Sequence, residues 1–359
     1  MTPRPRRFRT ALKTLHLWLG LSLGLVLALV ALSGSVLIFD EPLFAAAHPE
    51  LTARPLPDLA AQGRALAHVL ASPLANDLRG LSLPDADLPV WAAGAKGGDR
   101  YYFDASSGDL LLHRAKSDDV LLTLMDWHTH LLAGDAGETA LGVVAFAGLF
   151  MLFSGVWLYW PGRQRALKHL KPHANPPVLR WASLHRFIGV AALPLLIVMI
   201  GTGTTMAYRG AVRTGLMAMF GEKGARPPKL PMAAAIDWPS ILTHAQAAAP
   251  DAQLTRLMLP ARGSGTIAVR LRRPGEWNPA GRSTLWLDPA TARVVGGDDA
   301  TRLGTGARLA NALFPIHSGA VGGMTWRVVA CVTGVLPMGL LVTGFLFWRA
   351  RKRRPAARR

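Results

Sequence analysis

Four long stretches of the chain carry no charged residue: 14–39, 139–162, 187–208 and 328–348, of 26, 24, 22 and 21 residues. Each is long enough to cross a hydrocarbon core as a helix, which takes about 20 residues. Pro194 and Pro337 lie inside two of them, where neighbouring helices can satisfy the freed backbone groups. Between the apolar stretches the pattern changes. In 40–138, residues 100–103 lead into Asp104-Ala105-Ser106-Ser107-Gly108-Asp109 and then 110–112. In 209–327, residues 283–287 lead through Asp288-Pro289-Ala290-Thr291 into 293–295. Both read as strand, Asp-led turn, strand, and 267–273 adds a further alternating strand. The pattern predicts a mainly α membrane protein with four transmembrane helices. These are arranged as two span–outer domain–span repeats with two small α+β regions between the spans.

Charge gives this arrangement an orientation. Half of the 359 residues are hydrophobic, 17% are charged, and the net charge is +18. A charge of that size suggests nucleic-acid binding until it is located. Segments 1–13, 163–186 and 349–359 together hold eighteen Lys and Arg residues and no acidic one, and the rest of the chain sums to zero. That is the positive-inside pattern, which places both termini and the 163–186 loop in the cytoplasm and leaves no surplus for nucleic acid. The first span is far longer than the 7–15 residues of a signal-peptide core, so it reads as retained. Region 40–138 carries 7 basic and 15 acidic residues, and region 209–327 carries 15 and 7. The two are expected to pack on each other by charge, or the second to face an anionic ligand. The single cysteine, Cys331, excludes a disulfide framework, a Cys-based zinc site and an iron–sulfur cluster.

The candidate chemistry lies in the histidines. His16 opens the first span in Leu15-His16-Leu17-Trp18-Leu19-Gly20, and His185 opens the third in Leu184-His185-Arg186-Phe187-Ile188-Gly189. His128 precedes the second span and His317 the fourth, so each half has one histidine on each side of the membrane. His130 is an alternative to His128. Paired by side, His16 with His185 and His128 with His317 could each supply two axial imidazoles to a haem b, giving two haems, one near each face. Each span also carries a hydroxyl–glycine pair near its far end: Ser33-Gly34, Ser154-Gly155, Thr202-Gly203 and Thr343-Gly344. Gly34 and Gly203 fall beside the outer site, and Gly155 and Gly344 beside the inner one. They are read as leaving room for a flat cofactor, with helix packing as the simpler use. Lys13 and Arg186 are candidates for the inner propionates, and Trp326 and Arg327 for the outer ones.

At these motifs the chain resembles the PepSY-associated transmembrane family. The likeness runs through the two Leu-His-x-aromatic-x-Gly entries, the His128-x-x-Leu-Leu segment, Pro315-x-His317-x-Gly319, the Ser/Thr-Gly endings and the Asp-Pro-Ala-Thr turn. It departs from a full Asp-Pro-x-Thr-Gly turn: the first turn lacks the proline, and the second has Ala292 where glycine is expected. The resemblance implies PepSY-like outer regions and a bacterial inner-membrane protein with haem b ligated by His16, His128, His185 and His317. It further implies a haem-dependent oxidoreductase that reduces a ferric siderophore outside the cytoplasmic membrane. A quinone or a cytoplasmic reductase would be the electron donor. Two competing readings are a haem-free membrane anchor whose outer regions bind an envelope protein, and an iron-chelate permease. The absence of charged residues inside the spans gives a permease no marked path.

Overall fold

The computed structural model describes residues 4–160, 170–260 and 264–353. Arg163, Arg165, Lys168, Arg354, Arg358 and Arg359, counted above among the basic segments, lie outside the described residues. In chain order the helices are α1 (Arg4–Leu21), α2 (Leu23–Leu37), α3 (Asp40–Ala47), α4 (Pro49–Thr52), α5 (Leu59–Ala71), α6 (Val120–His130), α7 (Gly134–Tyr159), α8 (Pro177–Ala191), α9 (Leu193–Ala207), α10 (Arg209–Met219), α11 (Trp238–Ala248), α12 (Thr305–His317) and α13 (Gly323–Lys352). The strands are β1 (Leu78–Ser82), β2 (Val90–Ala95), β3 (Arg100–Asp104), β4 (Leu110–Arg114), β5 (Gln253–Met258), β6 (Ile267–Arg272), β7 (Ser283–Leu287) and β8 (Val294–Asp298). The chain divides into a helical unit (Met1–Ile38, Leu124–Arg209 and Ile316–Arg359) and a sheet unit (Phe39–Thr123 and Gly210–Pro315).

In the helical unit, α7 and α13 are each long and apolar enough to cross a membrane alone. The other two stretches are broken. Arg7–Leu21 with Leu23–Leu37, and Pro177–Ala191 with Leu193–Ala207, pass the same test only as pairs, bent by 47° and 65°. The first break falls at Ser22, whose backbone leaves the helical region and whose hydroxyl donates to the Trp18 carbonyl at 2.7 Å. The second falls just before Pro194, which lacks the N–H needed to continue α8. Pro337, by contrast, sits within α13 without ending it. Helix α13 packs along α2 and α8, while α7 packs along α1, α2 and α9.

The sheet unit joins the two outer regions into one structure. All eight strands form one antiparallel sheet in the order β4-β3-β2-β1-β5-β6-β7-β8. The two regions meet where β1 pairs with β5, Leu81 opposite Leu257 and Ser82 opposite Arg256. Helices α5 and α11 lie together over this joint, close enough that a Cβ on Gly63 would fall 2.5 Å from the Pro239 backbone. Beneath them Leu66, Leu81, Trp91, Phe103, Ile241, Leu242, Leu257 and Leu271 form one buried core. The joint is therefore apolar and hydrogen-bonded rather than held by opposite net charges. Both predicted hairpins form, as β3–β4 and β7–β8. In the first turn Asp104 Oδ1 accepts from the Ser106 and Ser107 amides at 2.8 and 2.9 Å. In the second, Asp288 Oδ1 accepts from Ala290 and Thr291 at 2.8 and 3.1 Å. Gly108 takes a φ of 83°, and Ala292 takes the same left-handed region at 53° despite its Cβ. The sequence departure at Ala292 thus keeps the turn and accepts the strain.

Candidate functional site: two facing histidine pairs

All four expected histidines belong to the helical unit, including His128 in the last turn of α6 and His317 at the end of α12. The helix packing brings them together two by two. The His16 and His185 ring centres are 6.4 Å apart with perpendicular planes, and those of His128 and His317 are 6.2 Å apart with planes at 36°. A metal–imidazole bond is about 2 Å, so two imidazoles on opposite sides of one ion place their ring centres about 6.4 Å apart. Both pairs have that spacing.

The hydroxyl–glycine pairs complete each site. Each glycine faces a histidine ring. A Cβ on Gly34 would lie 2.7 Å from His128 Cε1, one on Gly203 3.0 Å from His317 Cε1, one on Gly344 3.3 Å from His185 Cε1, and one on Gly155 3.4 Å from His16 Cε1. The neighbouring hydroxyl meets the same ring at Nδ1: Ser154 with His16 at 2.8 Å, Ser33 with His128 at 3.2 Å, Thr343 with His185 at 3.2 Å and Thr202 with His317 at 3.1 Å. Each hydroxyl already donates its one hydrogen back to its own helix. Ser33 donates to Val30, Ser154 to Met151, Thr202 to Val198 and Thr343 to Gly339, at 2.6–3.2 Å. Where the hydroxyl hydrogen goes to the helix carbonyl, the oxygen accepts from the ring. The Val30 and Leu340 carbonyls also accept from His128 and His185, at 2.9 and 3.0 Å. Nδ1 therefore carries the proton in His128 and His185, and the hydroxyl contacts at His16 and His317 fit the same tautomer, in which Nε2 keeps the lone pair that a metal would take.

This changes the reading of the glycines. The space they leave receives an imidazole edge, and the residue before each glycine meets that ring at Nδ1. The sequence showed the repeated dipeptide but not its partner, because each partner lies about 95–160 residues away on another helix. The geometry also separates His128 from His130. His130 turns to Asp126, 3.6 Å away, and to the Thr129 hydroxyl at 2.7 Å. Among the described residues no group of three or more His, Cys, Asp or Glu side chains comes together as a metal cluster.

The remaining predicted site residues are less converged. Lys13 is exposed. Arg186 Nε donates to the Ala182 carbonyl one turn back, at 3.0 Å. The Trp326 indole donates to the Ile316 carbonyl at 2.9 Å, which fixes the turn after His317 and occupies its only donor. Arg327 packs its Cα and Cγ against Gly319.

The family model for the PepSY-associated TM region matches residues 13–351. The chain belongs to this family. The match takes in both histidine pairs, all four hydroxyl–glycine dipeptides and the whole sheet. It agrees with the candidate spans in describing a membrane-associated protein with a PepSY module. No curated protein matches the chain.

Proposed function

We propose that this PepSY-family membrane protein carries electrons across the bacterial inner membrane, through two bis-histidine haem b sites, to reduce a ferric chelate outside the cytoplasm. In this reading the chain crosses four times, as two span–outer domain–span repeats, with each bent pair counting as one span. Both termini are cytoplasmic by the distribution of Lys and Arg. The observation that carries the reading is the twofold occurrence of facing imidazoles at single-metal spacing, each with Nδ1 committed to a hydroxyl. Two imidazoles alone make a poor site for a free ion, and among the described residues no third His, Cys, Asp or Glu ligand joins either pair. A macrocyclic cofactor would bring the remaining donors with it, so His16 with His185 and His128 with His317 fit haem. Haem b held between each pair would supply a one-electron Fe(III)/Fe(II) couple.

The chain's own part is to orient and to insulate. Ser154, Ser33, Thr343 and Thr202 hold each ring with Nε2 available and raise its donor strength through the Nδ1 hydrogen bond. The apolar helices keep water from the couple and so limit reorganisation. Outside, one electron converts the chelated Fe(III) to Fe(II), which hard oxygen donors hold far less tightly, and the metal is released. The electron enters on the cytoplasmic side from a quinol or a cytoplasmic reductase. No protein acid or base takes part, which agrees with spans free of charged residues.

Protein purified from haem-replete cells should bind two haems b per chain by pyridine haemochrome assay. Once reduced with dithionite, it should reoxidise on anaerobic addition of a ferric hydroxamate, with stoichiometric Fe(II) trapped by ferrozine. A colourless preparation defeats the proposal and leaves the haem-free anchor.

A further inference from the structure

One row of residues crosses the sheet from β1 to β8, each the cross-strand partner of the next: Ser82, Arg256, Arg270, Thr284 and Asp298. Two cations therefore stand directly opposite each other on β5 and β6, an arrangement that destabilises a sheet. Both side chains are half-buried. Burial, and then the neighbouring Arg256, lower the pKa of the Arg270 guanidinium, with Glu276 opposing.

Among the described residues neither guanidinium forms an ion pair, and Glu276 offsets the charge of Arg270 without bonding to it. Arg270 Nη2 reaches only the Met258 sulfur, at 3.9 Å, and its Nε is buried without a partner. Among the described residues no acceptor faces the Arg256 guanidinium. It lies instead over β1, where a Cβ on Gly80 would fall 3.3 Å from its Nε. Glu276 is committed elsewhere, to the Arg273 and Arg282 amides and the Ser283 hydroxyl. Asp298 stands two strands from Arg270, about 9–10 Å away at the usual strand spacing. Two arginines opposite each other on adjacent strands, with donors left unfilled, are the kind of group that binds an oxyanion bidentately.

We propose that Arg256 and Arg270 form a binding site for an oxyanion, a carboxylate or phosphate group held between their guanidinium forks. The group can come from a free anion or from an anionic lipid headgroup. The site does not rest on the haem reading, and its test uses no redox measurement.

Full-length protein in detergent is titrated calorimetrically with citrate and with inorganic phosphate. In parallel it is placed in nanodiscs of phosphatidylglycerol or phosphatidylcholine, and retained lipid is read by native mass spectrometry. Expected are binding of at least one of these probes and a loss of about tenfold or more in Arg256→Gln and Arg270→Gln. Citrate or phosphate binding assigns a free anion, and retention of phosphatidylglycerol alone assigns a headgroup. In the absence of probe, each variant should keep or raise the wild-type Tm, because removing one of two facing cations relieves repulsion. Three results would overturn the proposal: no probe binding to the wild type, binding unchanged in both variants, or a lower Tm in probe-free detergent. The last would mark the arginines as structural.

Discussion

The two histidine pairs share a spacing but not a packing. Their ring centres differ by only 0.2 Å, at 6.4 and 6.2 Å, while their planes meet at 90° in one pair and 36° in the other. The glycine cradles differ in the same way. His128 and His317 leave their glycines 2.7 and 3.0 Å for a Cβ, whereas His16 and His185 leave 3.4 and 3.3 Å. Ring rotation and helix contact vary between the pairs, and the distance across each pair is held. A bridging group shared by each pair, as proposed, would hold that distance while leaving ring rotation and helix contact free to vary.

The largest expected effect separates the pairs outright. His16→Ala or His185→Ala should reduce haem from two per chain to one and leave the spectrum of the other site intact, and His128→Ala or His317→Ala should do the reverse. If any of these variants keeps both haems, the pairing is wrong. Next comes the difference between the cradles. Gly34→Ala pushes a methyl to 2.7 Å from His128, below any ordinary contact, and should abolish the His128–His317 site. Gly155→Ala meets His16 at 3.4 Å, ordinary van der Waals distance, and should retain nearly full haem. Equal losses in the two variants would erase the distinction.

A smaller effect lies in the hydroxyls. His185 and His128 each have a backbone carbonyl beside the hydroxyl, whereas Ser154 is the partner recorded for His16 Nδ1, and the shortest of the four. Ser154→Ala should raise the midpoint potential of the His16–His185 site by about 40 mV, equivalent to about 1 kcal/mol for one hydrogen bond and one electron. Thr343→Val, which leaves the Leu340 carbonyl in place, should shift it less. Redox titration followed in the α-band distinguishes the two.

The smallest effect belongs to the sheet unit. Asp119 is held below the usual carboxylate range, chiefly by its hydrogen bond from Arg114, whose Nε lies 2.6 Å away. Burial opposes ionisation of Asp104, but hydrogen bonds from Ser106, Ser107 and Arg54 outweigh it and hold its carboxyl low. Both folded-state values lie below the unfolded ones, so both carboxylates contribute stability above pH about 4 and lose it as pH falls further. The sheet unit should therefore melt at lower temperature below pH 4, by a margin reduced in Asp119→Asn. If haem is bound as proposed, its α-band reports the helical unit and should follow its own pH course.

Legibility from sequence was uneven, for physical reasons. The apolar helices and both Asp-led hairpins were readable, because a charge-free run and a turn with fixed side-chain bonding are local signals. The bends at Ser22 and Pro194 were not, since hydropathy is blind to a change of direction. The strands β1, β2 and β5 and the helices α5 and α11 escaped notice, and with them the single sheet. The Leu81–Leu257 pairing that joins the halves spans 176 residues and has no local signature. At the site, the four histidines could be read by position within a repeat. The role of Ser33, Ser154, Thr202 and Thr343 could not, because it is a contact between distant helices.

The central claim is that each facing pair ligates one haem through both imidazoles. Electron paramagnetic resonance of the oxidised, purified protein tests it most directly, because the angle between axial imidazole planes sets the splitting of a low-spin ferric centre. The account predicts two low-spin signals of equal intensity, with the more anisotropic one, from the perpendicular pair, lost in His16→Ala. A haem-free protein, or a single high-spin signal from one-histidine ligation, would contradict it.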